Sequence, residues 1–195
     1  MRTMTLTVFL VLAAATTAAA QGRHELEVGA GWMQFNPLDI DDFTSIPSGP
    51  TLTVTRVSWR EDERRGWAIG VTAVLTPQHV PHTVNTRYHF PLYGSVAYRW
   101  RWGSDDGSDL VFGVGAGPMM WIRKTPLWEL DPDTLTRSYT GETERELDIF
   151  LRPHIDVYAS RPIRDGLKIR YGVTWMPLLW IPLMIQPTVM GVWEF

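Results

Sequence analysis

Hydrophobic residues alternate with small or polar residues along most of this chain. Such a period of two predicts β-strands, because every second side chain then lies on the same face of a sheet. In one segment Trp67 and Ile69 face away from Ala68 and Gly70. The predicted strands span residues 24–35, 51–60, 67–76, 90–102, 110–122, 147–159, 167–176 and 187–195. No stretch shows the sustained period of three to four that predicts an amphipathic helix.

The connections between these strands alternate in length. Those at 61–66, 103–109 and 160–166 are short, charged and contain Gly or Asp, whereas the intervening ones are longer, and the longest covers about residues 123–146. Short turns on one side, long loops on the other and an even strand number are typical of membrane barrels. The pattern predicts an all-β fold, an eight-stranded antiparallel up-and-down transmembrane β-barrel.

Tryptophan positions distinguish two kinds of barrel. The chain has 10 Trp in 195 residues, and most of those in predicted strands lie near strand ends. Two aromatic belts around an aliphatic middle are typical of a bilayer-spanning protein. A soluble, lipocalin-like ligand-binding barrel, with its apolar face turned inward, is the alternative. The predicted belt residues are Trp32, Trp59, Trp67, Trp100, Trp102, Trp175 and Trp193.

The start of the chain has the features of a secretory signal peptide. Arg2 gives a positive start, residues 4–14 are apolar but too short to cross a bilayer comfortably, and small residues follow. We expect a signal peptide over residues 1–20, with Ala18, Ala20 and Gln21 defining the cleavage site, and a barrel domain over residues 21–195. An uncleaved anchor helix is the alternative reading of this segment.

Charge and cysteine content exclude several classes of function. The formal net charge is −3, and it becomes −4 when Arg2 is removed with the signal peptide. Nucleic-acid binding is disfavoured because the chain has no basic stripe to neutralise phosphates. The absence of Cys excludes a disulfide framework, a thiolate metal site and a lipid-bearing cysteine. We expect no cofactor and no metal.

The last predicted strand carries Gly191, Trp193 and Phe195 on one face. It resembles the C-terminal assembly signal of bacterial outer-membrane β-barrels, which the insertion machinery reads. The segment from Gln21 onward resembles the small outer-membrane barrels of Gram-negative bacteria, of the OmpX and OmpA-transmembrane type. This resemblance implies a place in the cell outer membrane, contact with its lipids and passage through the barrel assembly machinery.

Charged residues of both signs fall on the predicted inward faces. An eight-stranded barrel has an interior only wide enough for its own side chains, and unpaired charges in so narrow a space are costly. We therefore expect these residues to form a salt-bridged network that plugs the lumen, and no porin activity. They are Glu25, Glu27, Arg56, Arg60, Arg99, Arg101, Asp148, Arg152, His154, Asp156, Lys168, Arg170 and Glu194.

These features favour a structural, adhesive or small-ligand-binding role over catalysis. The enzymatic alternative is a lipid hydrolase with Ser, His and an acid on the outward face near the outer leaflet. The alternation, however, turns His154 and Asp156 inward. Two long connections could bind an external ligand or partner. The one beginning near Arg123 mixes aromatic, apolar and charged residues. The one beginning at Pro177 is apolar and could equally dip into the outer leaflet or pack across the barrel mouth.

Overall fold

The computed structural model describes residues 23–36, 49–75, 92–130, 137–177 and 183–195. These residues form eight antiparallel strands in chain order, and the first pairs with the last to close a barrel. The strands are β1 (His24–Asn36), β2 (Gly49–Trp59), β3 (Arg65–Val74), β4 (Leu92–Gly103), β5 (Asp109–Leu130), β6 (Arg137–Arg164), β7 (Leu167–Met176) and β8 (Leu183–Glu194). Within the described ranges, no helix is long and apolar enough to span a membrane.

The signal peptide predicted over residues 1–20 lies outside the described residues, as do Ala18, Ala20 and Gln21 of its cleavage site. The same holds for residues 37–48, 76–91, 131–136 and 178–182, which connect strands at one end of the barrel. We call this end the loop end. Its counterpart, where residues 60–64, 104–108 and 165–166 connect the strands, is the turn end.

The outward face of the barrel is apolar. Successive side chains on a strand point to opposite faces, so alternate residues face either the surroundings or the lumen. Exposed outward aliphatic residues occur on each strand from β2 to β8: Leu52, Ile69, Val96, Val114, Val157, Ile169 and Val189. Most buried charges lie on the opposite face. This orientation is that of a membrane barrel and the reverse of a lipocalin.

Aromatic side chains form a continuous ladder on the outward face near the turn end. Tyr98 contacts Trp67 and Trp100 edge-on, at ring-centroid distances of 5.1 and 4.9 Å. Trp100 lies 5.8 Å from Phe112 on the next strand. Four other predicted belt residues also face outward: Trp102 and Trp193 toward the turn end, and Trp32 and Trp175 toward the loop end.

The prediction for β2 had its faces reversed. It placed Trp59 outward and Arg56 inward, but Trp59 is buried in the lumen and Arg56 shares the outward face with its cross-strand neighbour Leu26. Arg60, also predicted to be inward, is exposed after the end of the strand. The reason is register, because Glu25 pairs with Val57, and this pairing turns Val57 and then Trp59 inward.

The prediction of a long loop over residues 123–146 is wrong, because most of this segment forms a β-ribbon. Pairing between β5 and β6 continues as far as Leu130 opposite Arg137, with an irregularity between Pro126 and Trp128. The neighbouring strand β4 begins at Leu92, opposite Met120, so the ribbon extends beyond the closed wall at the loop end. The last loop is also shorter than predicted, since β8 begins at Leu183.

Candidate functional site

Charged side chains converge in the half of the lumen nearest the turn end. They come from β1, β4, β5, β6 and β7, and their placement follows from the inward alternation of each strand. We call this group the charged layer: Glu25, Glu27, Arg99, Arg101, Asp109, Asp156, Lys168 and Arg170.

Arg99 links two acids across the barrel. Its Nη1 donates to both carboxylate oxygens of Glu27 at 2.9 Å, and its Nη2 donates to Oδ2 of Asp156 at 3.0 Å. All three side chains are buried. Charge-assisted pairs of this kind are strong, and removal of one partner leaves the others with uncompensated charge.

Arg170 is fully buried and connects the same layer from the opposite side. It forms ion pairs with Glu25 at 3.1 Å and with Glu27. Its Nη2 lies 3.5 Å from Oδ1 of Asp109, and its Nε donates to Oγ of Ser160 at 2.6 Å. Glu27 is thereby shared between two guanidinium groups, which joins the two sides of the network.

Arg101 closes the charged layer toward the turn end. It donates to Oε1 of Glu25 at 2.8 Å, and to the backbone oxygen and the carboxylate of Glu63 at 2.8 and 3.0 Å. Its guanidinium carbon lies 4.5 Å from the ring centroid of Trp59. The buried Trp59 therefore supports an arginine in the lumen through a cation–π contact.

At the turn-end mouth, Lys168 lies 2.8 Å from Asp109 and 3.1 Å from Glu194. Glu194 also pairs with Arg23, which lies before β1. A pocket of about 290 Å³ opens beside these residues. The salt bridges therefore extend from the middle of the lumen to solvent at this end.

Gly113 makes the approach of Arg99 to Asp156 possible. It faces the lumen between the two side chains, and a β-carbon at this position would lie 3.0 Å from Cγ of Arg99 and 3.1 Å from Oδ2 of Asp156. A larger residue would push the two groups apart. The small residues on the inward face of β5 therefore leave room for long charged side chains from its neighbours.

The half of the lumen nearest the loop end has a different composition. Apolar side chains and one tyrosine form a buried cluster that we call the methionine layer: Met33, Val74, Tyr93, Met119, Met176 and Met184. Methionine fills irregular space because its side chain is unbranched and flexible. This layer was missed from the sequence, although alternation had placed Met119 on the inward face.

Polar groups lie between the two layers. The Tyr93 hydroxyl lies 2.5 Å from Nδ1 of His154, and Nε2 of His154 lies 3.8 Å from Oδ2 of Asp156. Thr174 donates to the other carboxylate oxygen of Asp156 at 2.9 Å, and its hydroxyl lies 2.5 Å from that of Tyr158. The contacts connect the predicted His154 and Asp156 to two tyrosines that were not predicted as site residues.

The predicted charges Arg56, Arg60 and Arg152 do not pair with the acids of the charged layer in the described part of the chain. Arg56 and Arg60 lie elsewhere, as described above. Arg152 faces the lumen and is buried, but no salt bridge links it to another described residue, and its Nε has no hydrogen-bond partner among them. Its guanidinium carbon lies 5.3 Å from the ring centroid of Phe150. For Asp148, only the backbone, on β6, is described.

Several network residues were missed from the sequence: Arg23, Glu63, Asp109 and Ser160. All four lie outside the predicted strands, where alternation gives no direction for a side chain. In the described part of the chain, no group of three or more His, Asp or Glu is arranged to hold a metal ion.

No protein-family model matches this chain, and no curated protein matches it in sequence. Solved structures do match its fold. Ail of Yersinia pestis, crystallised with the heparin analogue sucrose octasulfate, is 8% identical, with 90% of this chain and 100% of that chain covered and a TM-score of 0.57. Neisserial surface protein A is also 8% identical, with the same coverage and a TM-score of 0.58.

The N-terminal β-barrel domain of Pseudomonas aeruginosa OprF is 10% identical, with 90% of this chain and 98% of that domain covered and a TM-score of 0.51. At such low identity the likeness concerns the fold. The closed order of strands, the outward apolar face and these neighbours agree on one architecture. The chain has the fold of the small eight-stranded outer-membrane barrels of the OmpX and OmpA type.

Proposed function

We propose that this protein is an outer-membrane barrel with a plugged lumen and a structural, adhesive or small-ligand-binding role at its loop end. The observation that carries the proposal is the division of the wall, with exposed aliphatic and Trp side chains outside and paired buried charges inside. Only a bilayer makes the outward composition favourable, since contiguous apolar surface of this kind is unfavourable in water.

Cell fractionation tests the location. We expect a processed protein that starts near Gln21, sediments with the outer membrane and needs detergent for release. Recovery of the processed protein in the soluble periplasm without detergent would contradict the proposal. An uncleaved N-terminus in the membrane fraction would contradict the signal-peptide part alone.

The plugged lumen is supported by the two layers, which place buried side chains across both halves of the interior. We expect purified protein in planar bilayers to show no large steady conductance. The matched variant is Arg99→Ala, which removes the side chain that bridges Glu27 and Asp156. A porin-like open channel in the unmodified protein would contradict the plug and indicate a transport function.

We also propose that Gly191, Trp193 and Phe195 act as an assembly signal for the insertion machinery. The Phe195 side chain is 68% exposed, while its backbone pairs with His24 through hydrogen bonds of 2.9 and 3.1 Å. Phe195→Ala keeps that pairing and removes only the ring, so the finished barrel loses little packing.

In cells, Phe195→Ala should leave unassembled, protease-sensitive protein. Val189→Ala, on the same face of β8 and also exposed, is the control and should assemble normally. Undiminished heat-modifiable barrel in cells that carry Phe195→Ala would contradict the assembly role.

The external role is supported by the ribbon of β5 and β6, which projects at the loop end and carries charges of both signs. One structural neighbour, Ail, is described as an attachment invasion locus protein. By analogy we place binding of an external partner at the ribbon. Replacement of residues 124–145 by a two-residue turn should abolish adhesion of expressing cells to host-cell or matrix surfaces and leave barrel assembly intact, whereas unchanged adhesion would contradict this assignment.

No hydrolase activity is part of the proposal. His154 is only 2% exposed and lies on the lumen face, where its nearest polar partner is the Tyr93 hydroxyl. A lipid ester on the outside of the wall cannot reach this position. Release of fatty acid from outer-membrane lipids by the purified barrel, and its loss in His154→Gln, would contradict this reading.

A further inference from the structure

Arg152 differs from the other buried cations of the lumen. Arg99, Arg101, Lys168 and Arg170 each form at least one salt bridge with a carboxylate at 3.1 Å or less. Arg152 is 7% exposed, and the described residues contain no carboxylate in salt-bridge contact with it. A buried cation without a counter-charge is unfavourable, so an anion at this position would stabilise the barrel.

The described groups that contact Arg152 do not supply negative charge. Phe150 lies with its ring 5.3 Å from the guanidinium carbon, and the Tyr93 hydroxyl donates to the backbone oxygen of Arg152 at 3.3 Å. This contact with the ring leaves the N–H donors of the guanidinium for another partner, and Nε has no hydrogen-bond partner among the described residues. The N–H donors of a guanidinium match the two-oxygen edge of a phosphate or carboxylate.

The exposed surface next to Arg152 lies on its loop-end side. Phe150 lies two residues farther along β6 toward that end, and its side chain is 41% exposed. An organic group attached to the anion could therefore contact the open part of this ring. The combination favours a small organic anion over a bare inorganic ion.

We propose that Arg152 and Phe150 form a binding site for an oxyanion at the loop-end mouth of the lumen, with the phosphate or carboxylate group of a small organic molecule as its ligand. Arg152 binds the charged group, and Phe150 contacts the organic part. The site lies apart from the charged layer and does not depend on whether the lumen conducts.

Isothermal titration of the folded full chain in an uncharged maltoside detergent tests this site. The probes are inorganic phosphate and glucose 6-phosphate at constant ionic strength. We expect saturable binding, tighter for glucose 6-phosphate than for inorganic phosphate. Arg152→Met should weaken it by about tenfold or more, since a charge-assisted hydrogen bond is lost. The affinity of Arg152→Lys should fall between those of the unmodified chain and Arg152→Met, because lysine keeps the charge without the planar fork.

Phe150→Ala should weaken the binding of glucose 6-phosphate and leave the binding of inorganic phosphate unchanged. Arg161→Met is the matched control, because Arg161 is exposed near the turn end. This variant should bind both probes as tightly as the unmodified chain does. Heat modifiability on gels confirms that each variant is folded. Absence of saturable binding to the unmodified chain, or equal binding by Arg152→Met, would overturn the proposal. Binding that appears only in Asp148→Asn would also overturn it, because an acid of the chain would then be the occupant.

Discussion

The two halves of the lumen are filled by different kinds of side chain. Near the turn end, carboxylates and guanidinium groups satisfy one another, and Glu27 alone is shared by Arg99 and Arg170. Near the loop end, flexible methionines fill the space, and Arg152 is left without a described acidic partner. One half is thus electrostatically complete, whereas the other contains a charge that a ligand could neutralise.

Short connections tie the strands together only at the turn end of the described barrel. Short turns fix the register at the turn end, as in the hydrogen bonds of 2.8 Å between Arg60 and Arg65 and between Ser104 and Ser108. A fixed register allows charged groups from several strands to meet at ion-pair distances. The methionine layer tolerates looser geometry because an unbranched thioether adapts to its neighbours.

The largest expected effect separates Arg99 from Arg152. Arg99→Met leaves Glu27 and Asp156 buried with one partner fewer, which should lower the free energy of unfolding by about 3–5 kcal/mol. Arg152→Met strands no described carboxylate, and its cost should stay below about 1 kcal/mol. Urea unfolding followed by Trp fluorescence measures both, and equal losses would remove the distinction between the two halves.

The methionine layer is tested next. Met119 is fully buried, and Met119→Ala should cost about 2–5 kcal/mol because it leaves a cavity. Met119→Leu, which nearly conserves volume, should cost less than about 1.5 kcal/mol. The same unfolding experiment compares them. If the alanine variant were as stable as the leucine variant, the loop-end half would be loosely packed rather than filled.

A smaller effect concerns the contact between Trp59 and Arg101. A double-mutant cycle with Trp59→Leu and Arg101→Met should give a coupling energy of about 0.5–2 kcal/mol, as expected for a desolvated cation–π pair. Trp102 lies on the outward face, so the corresponding cycle of Trp102→Leu with Arg101→Met is the control and should give a coupling near zero. Equal couplings would mean that Arg101 does not distinguish the buried ring from the outward one.

Strand number and most face assignments could be predicted from alternation, because outward aliphatic and inward polar positions differ strongly in chemistry. Closure could be predicted from the even strand number and the alternating lengths of the connections. The β2 error shows the limit. Its prediction relied on the bulk of Val57 and Trp59, whereas Leu52 and Val54 on the same strand set the opposite phase, which runs through Arg56. A buried Trp beside an arginine mimics an outward belt residue in sequence.

The candidate site was less accessible to prediction than the fold. Pattern identified most of the inward charges, but pairing depends on side-chain reach across the lumen, which sequence separation does not encode. Arg99 and Arg152 look equivalent along the chain, since both occupy inward positions between apolar neighbours. Only the closed barrel shows that Arg99 lies at the height of Glu27 and Asp156, while Arg152 lies near Met119 of the methionine layer.

The smallest expected effect concerns a solvent-exposed ion pair, which serves as a reference for the buried pairs. In the turn between β2 and β3, Arg65 donates to Oδ2 of Asp62 at 2.8 and 3.0 Å, and the backbone N–H of Arg64 donates to Oδ1 at 3.0 Å. The side-chain hydrogen bond from Arg65, followed by the backbone one from Arg64, holds the pKa of Asp62 below its ordinary value.

A depressed carboxylate pKa stabilises the fold at pH values above the ordinary pKa of Asp, and this contribution is lost as the pH falls through the lower, folded value. Because the pair is exposed, Asp62→Asn should change the urea midpoint at neutral pH far less than Arg99→Met does. Carbon-13 NMR of the Asp62 carboxyl group should show titration below the ordinary range, and Arg65→Gln should raise the midpoint toward it. A midpoint that Arg65→Gln leaves unchanged would show that the backbone donors alone set the pKa, and the turn would then be a poor exposed reference for the Arg99 pair.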